Sequence, residues 1–276
     1  MSSYQLKQVN FQKQHSPLLA FSRNVTSQNG EDGILEYIFK KIPTDNQKYF
    51  VEFGAWDGKY LSNCFNLAKN QDWNGIFIEG NTEKFKDLQA NVGDLAKVKC
   101  INTFVDFSGS TRLETILRSN GCPKNFDLLS IDVDGVDYHL WEDLDFFKPK
   151  VVVIEFNPSI PNDVIFIQAR DLKVNQGSSL LALILLGKER GYELVCSTSC
   201  NGIFVLKEYY SLFGITNNHI TVMCSPKCDG RIFHGFDSTV YVSGMPRLIW
   251  SNVRLSDLDF QVLPASMRRF DDAQNS

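Results

Sequence analysis

The stretch VEFGAWDGKYLSN, residues 51–63, decides the fold. It is an apolar strand that ends in a glycine-containing turn and opens directly into a helical run. Such a turn brings backbone N–H groups and a helix N-terminus to the edge of a crevice. Gly54 permits close backbone approach and Gly58 a sharp turn. The two glycines do not form GxGxxG, because Trp56 and Asp57 stand between them. A dinucleotide pyrophosphate would have less backbone to lie against, which disfavours NAD.

Outward from this stretch, between Lys48 and Lys207, β-branched and aromatic runs alternate with longer amphipathic ones, the pattern of βαβ crossovers and a mostly parallel sheet. The runs predict strands at 49–54, 75–79, 98–105, 127–132 and 151–156, dense enough in apolar residues to be covered on both faces. Helices are predicted at 61–69, 82–91, 110–119, 139–147 and 178–190, with Thr82 and Ser110 as N-caps and Gly191 as a stop. Residues 192–197 and 202–206 are too close in sequence for a crossover helix and read as an antiparallel hairpin closing the sheet. Residues 27–42 read as a helix, acidic at its start and basic at its end. The domain reading is an N-terminal extension at 1–25, the sheet domain at 26–208 and an appendage at 209–276 that holds strand-like pieces at 232–233 and 238–242.

Composition bounds the function. The 276 residues, 43% hydrophobic and 22% charged, suffice for a substantial core. A net charge of -4 offers no basic field for phosphates and disfavours a nucleic-acid partner. No apolar run suits a membrane span and the amino terminus lacks a signal-peptide layout, so a cytoplasmic protein without a membrane partner is expected. Seven cysteines without a secretion signal read as reduced thiols. The pairs Cys196/Cys200 and Cys224/Cys228 are a looser alternative as zinc ligands, since their spacing departs from the usual knuckle.

Acidic residues stand at the ends of consecutive strands. Glu79 falls where a Rossmann-type sheet puts a carboxylate for ribose hydroxyls, flanked by Gly80 and Asn81. Asp106 is placed to accept from an adenine amino group while Phe107 covers the ring. Each acid alone reads more readily as a helix cap or solvated charge; three in register on consecutive strands favour a site.

The ordered series SQNGEDGILEYIF (27–39), FVEFGAWDGKYLSN (50–63), GIFIEGN (75–81), LLSIDVDGVDYHLW (128–141) and VVVIEFNPSIP (151–161) resembles the FkbM-like branch of class I methyltransferases. The likeness runs from Thr26 to Leu206. It implies a Rossmann-like class I methyltransferase fold with a seven-stranded sheet and helices on both faces, S-adenosylmethionine as cofactor, and commonly O-methylation of sugars or other metabolites. Carried over residue by residue, Glu52 and Gly54 match the first acidic-glycine motif, whose carboxylate helps hold the methionine ammonium. Glu79 matches the ribose-binding acid and Asp106 the adenine-binding acid, with Asp57 beside them. Gln28 and Glu31 match an amino-terminal element that resembles a lid over the cofactor; the plainer reading is a capped helix start.

The fourth strand supplies Asp132, Asp134, Asp137, Tyr138 and His139, where a bound methyl group would face its acceptor. Methyl transfer is an in-line displacement, so the protein has to align the nucleophile and take a hydroxyl proton. Asp132, Asp134 and His139 are the candidate bases, and Asp132 is also a candidate cofactor contact. Alternatively Asp132 and Asp134, with Glu155 from the fifth strand, form a candidate Mg²⁺ site, although DVDG reads more readily as simple turn chemistry. Glu155 and Asn157 are candidates for acceptor binding, with a strand-terminating turn in which Asn157 satisfies backbone groups as the equal alternative, and Asn175, Gln176 and Gly177 read as an acceptor contact or a capping loop. The tail aromatics Phe233, Phe236, Tyr241 and Trp250 read as docking the tail on the sheet, with sugar stacking as the alternative, and His219 and His234 as surface or hydrogen-bonded residues. The expected function is O-methylation of a hydroxyl on a saccharide or similar polar molecule. The alternatives are a non-catalytic scaffold with this fold, or transfer to nitrogen or to a phosphate-bearing acceptor. The oligomeric state stays open, a homodimer included.

Overall fold

In the computed structural model, residues 16–43, 48–224, 231–236 and 239–243 are described. The strand Tyr49–Phe53 (β1) sends alternate side chains to opposite faces, and that alternation builds two cores. Val51 and Phe53 lie in one core with side chains from α4 (Leu113–Ser119), α5 (Asp137–Glu142) and α6 (Leu180–Glu189). Phe50 lies in the other, with α1 (Glu31–Lys41), α2 (Phe65–Asn70) and α3 (Thr82–Val92). Helices therefore cover both faces.

The remaining strands are β2 (Asn74–Glu79), β3 (Val98–Asn102), β4 (Leu128–Ile131), β5 (Val151–Glu155), β6 (Tyr192–Ser197) and β7 (Asn201–Leu206). Their spatial order is β3-β2-β1-β4-β5-β7-β6. β1 to β5 pair in parallel, and β7 enters antiparallel between β5 and β6. The expected parallel sheet and closing hairpin are both present. Chain direction reverses its sideways progress between β1 and β4, which opens a crevice beyond their carboxyl ends.

Several boundaries differ from the sequence expectation, each for a local reason. β3 ends at Asn102 rather than 105, where Asn102 Nδ2 donates to Glu79 O at 2.8 Å. The helix expected from 61 begins at Phe65, because Leu61 has φ 59 and Ser62 Oγ accepts from the N–H groups of Cys64 and Phe65. The helix expected from 27 begins at Glu31, since the N–H groups of Val25, Thr26 and Ser27 all donate to Asp32 Oδ2 at 2.8 Å. Asn81, not Thr82, caps α3 by accepting from Glu83 and Lys84, and Leu113, not the region of Ser110, opens α4. The helix expected at 139–147 runs instead from Asp137 to Glu142. Gly191, at φ 83, follows α6 as expected.

Residues 16–25 do not stand free: Leu18 is buried and Ser16 Oγ donates to Val195 O at 2.6 Å. Phe213, Ile220 and Met223 extend the same two cores beyond residue 208. In the tail, β8 (Arg231–His234) and β9 (Val240–Ser243) form the expected strand pieces, paired as a hairpin. Phe233 and Tyr241 stack on each other at 5.4 Å and stay exposed, as does Phe236, so these rings do not dock the tail on the sheet. Trp250, Ser238 and Cys228 lie outside the described residues. Cys196 is buried in β6 and Cys200 sits in the turn that follows. Among the described residues no helix is long and apolar enough to cross a membrane.

Candidate functional site

The crevice begins at Gly54, which has φ 73, a left-handed backbone that favours glycine. A Cβ there would lie 1.5 Å from Asp132 O, so β1 and β4 approach more closely than any other residue at this position permits. Glu52, two residues earlier, is buried on the face of α1 to α3. Its Oε2 accepts from Ser62 Oγ at 2.5 Å and its Oε1 from Asn63 N at 2.9 Å, while Asn63 Nδ2 donates to Ser130 Oγ at 3.1 Å. Burial pushes the Glu52 carboxyl up to about 7, against these hydrogen bonds. Glu52 thus pins the loop after β1. Ser62, Asn63 and Ser130 were not singled out from sequence, although two of them stand in the LSN that closes the deciding stretch.

Glu79 ends β2 with both oxygens engaged by the backbone: Trp56 N donates to Oε2 at 2.7 Å and Asn81 N to Oε1 at 2.6 Å. A carboxylate has about four lone-pair sites, so acceptor capacity remains. Asp57 Oδ1 accepts from Lys59 and Tyr60 N, shaping the turn. Gly80 backs onto the ring of Phe104, which is 71% exposed and which sequence reasoning passed over. Asp106 lies past the end of β3 in a loop, accepting from Phe107 N. The Phe107 ring faces Arg170 at 4.3 Å and His139 at 6.1 Å.

Beyond β4, Asp137 Oδ1 accepts from Val133 N at 3.0 Å and Oδ2 from Gly135 N at 2.9 Å, which closes the turn and holds Asp134 at φ 58 with its side chain exposed. Burial raises Asp137 to about 6. Oxygens of Asp132, Asp134 and Glu155 lie within 4.8 Å of one another. Burial, then the charges of Asp137 and Asp134, hold Asp132 well above the ordinary carboxylate range; burial and Asp132 do the same to Glu155. The two carboxyls stand side by side at the ends of β4 and β5.

Two candidates are engaged in hydrogen bonds within the fold. His139 is buried, with Nε2 2.8 Å from Gln168 O and Nδ1 3.2 Å from Glu142. Nε2 must donate to that carbonyl, so this ring ties α5 to the following loop and is not poised as a base. Asn157 is a strand-terminating turn residue: Nδ2 donates to Gln176 O at 2.7 Å and Oδ1 accepts from Ser159 N. Gln176 and Gly177 likewise donate their N–H groups to Gln168 Oε1, the capping-loop alternative. Gln168, unnoticed in the sequence, organises this whole wall.

The amino-terminal element crosses the crevice edge. Thr26 Oγ1 donates to Ser62 O after β1, Asn29 Nδ2 to Cys200 Sγ, and Glu31 Oε1 accepts from Thr198 Oγ1 at 2.6 Å and Asn201 Nδ2 at 3.1 Å. It thus joins the ends of β1 and β7, with β4 and β5 between them. Gln28 is exposed on this strap.

The sheet is of the class I methyltransferase type, Rossmann-like and seven-stranded with one antiparallel strand. No protein-family model and no curated protein matches the chain. Solved structures with a similar fold include TrmK of M. capricolum in complex with S-adenosyl-homocysteine, at 14% identity and TM-score 0.37 over 62% of this chain and 65% of that one. The CMeT domain of the citrinin polyketide synthase gives 8%, 0.42, 63% and 50%. A SAM-dependent methyltransferase from Aquifex aeolicus gives 10%, 0.38, 64% and 89%. The chain spans 65% and 50% of the length of the first two. The class of fold rests on the strand order β3-β2-β1-β4-β5-β7-β6.

Proposed function

We propose that this protein is a methyltransferase of FkbM-like type that uses S-adenosylmethionine to methylate a hydroxyl of a saccharide or similar polar molecule. The observation that carries this reading is the meeting, at the β1/β4 switch point, of a glycine without room for a side chain, Glu79 one strand away, and a cluster of acids just beyond β4 and at the end of β5. The residues present fit the cofactor: Gly54 leaves backbone accessible at the crevice, and Glu79 keeps lone pairs for ribose hydroxyls. Bound there, S-adenosylmethionine supplies an electrophilic methyl group. Asp134, exposed on its clamped turn, is the group placed to take the acceptor proton, with Asp132 beside it. The strap from Thr26 to Glu31 limits water at the edge, and the loop held by Gln168 and Asn157 forms the acceptor wall. The competing reading is a scaffold that keeps the fold without catalysis. Isothermal calorimetry of S-adenosylmethionine and S-adenosylhomocysteine with the full chain separates them: saturable binding of both supports the enzyme, and no binding of either overturns it.

A further inference from the structure

We propose that the edge of β4, β5 and β7 carries a divalent-cation site formed by Asp132, Asp134, Glu155 and Asn201. The register sets the geometry. Ile131 pairs with Ile154, so Asp132 comes level with Glu155, and Glu155 pairs in turn with Asn201. Neighbouring strands stand about 4.8 Å apart, so these three side chains rise in a row from one face. The left-handed turn at Asp134, clamped by Asp137, returns a fourth oxygen-bearing group to the row. Among the described residues no lysine or arginine forms an ion pair with these carboxylates.

An independent feature points to a ligand. Asn201 is 5% exposed, and its Oδ1 is buried without a hydrogen-bond partner. Its Nδ2 is committed to Glu31 Oε1, and its register opposite Glu155 puts the two side chains next to each other on one face of the sheet. Buried acceptors are almost always satisfied, and a cation satisfies this one together with the three carboxylates. Four oxygen donors without nitrogen or sulfur select hard ions of the Mg²⁺, Mn²⁺ and Ca²⁺ class. Such an ion would hold an acceptor hydroxyl and lower its pKa, a consequence that rests on the methyl-transfer reading, whereas binding of the ion does not.

Mn²⁺ binding to the full chain, followed by electron paramagnetic resonance without cofactor or acceptor, tests the site. One Mn²⁺ per chain, displaced by Mg²⁺, is expected. Asp134→Asn, which alters an exposed side chain, should weaken binding by about tenfold or more, and Asn201→Ala should weaken it as well. Asp94→Asn, at a remote exposed acid, should leave it unchanged. Thermal melts of each variant without metal report folding separately. Absence of saturable binding, or equal binding by the wild type and a folded Asp134→Asn protein, overturns the proposal whatever the calorimetry of S-adenosylmethionine gives.

Discussion

The carbonyl oxygen of Asp132 occupies the place a side chain on Gly54 would need, 1.5 Å from an ideal Cβ. Gly54→Ala must therefore push β1 and β4 apart as well as hold alanine at φ 73. We expect a loss of at least roughly 3 kcal/mol in urea denaturation, together with loss of S-adenosylhomocysteine binding. Gly121 has nearly the same φ, 72, but nothing within 4 Å. Gly121→Ala should cost only about 1 to 2 kcal/mol of backbone strain and leave binding intact. Equal losses at the two sites would show that the close approach does not matter.

Glu79 gathers Trp56 N and Asn81 N at the carboxyl end of β2. Glu79→Ala should weaken S-adenosylhomocysteine binding by about 1 to 3 kcal/mol, because ribose hydroxyls and two backbone donors lose a common acceptor. Calorimetry checks this, and unchanged affinity would move the ribose away from β2.

Glu31 is wholly buried and accepts from Asn29 N, Thr198 Oγ1 and Asn201 Nδ2. Truncation to alanine strands three donors, for an expected loss of about 2 to 4 kcal/mol. Hydrogen exchange at residues 26–30 should accelerate with it. Retained protection there would mean that the strap is held by Thr26 and Asp32 alone.

Glu52 makes stability depend on pH. Its carboxyl rises from the ordinary 4.5 to about 7 in the folded chain, chiefly through burial. Between those values the folded chain holds the proton more often than the unfolded one, so stability falls as pH rises across the window. The contribution is roughly 3 kcal/mol, present below about pH 4.5 and gone above about pH 7. Denaturation of wild type and Glu52→Gln at pH 5 and pH 8 should show the decline in the wild type and a flatter profile in the variant. Parallel profiles would refute it.

Much of the sheet was legible because it depends on local periodicity. Apolar runs such as VVVIE, buried at every position in β5, announce strands covered on both faces, and the short Thr-Ser-Cys-Asn spacer between β6 and β7 leaves only an antiparallel return. Element ends were read less well, since they turn on contacts between distant residues. Asn102 stops β3 by bonding the backbone of Glu79, and Asp32 draws residues 25–27 out of the expected helix.

The sequence by itself determined the order of strands and helices, the closing hairpin and the acids at the strand ends, because patterning and turn chemistry act over a few residues. Only the tertiary structure decided what those acids and their neighbours do. It turned His139 to Gln168, gave Asn157 to its own turn, and set Asp132, Glu155 and Asn201 in one row. Strand register and hydrogen-bond partners depend on which distant segments pack together, and no local pattern in the chain encodes that pairing.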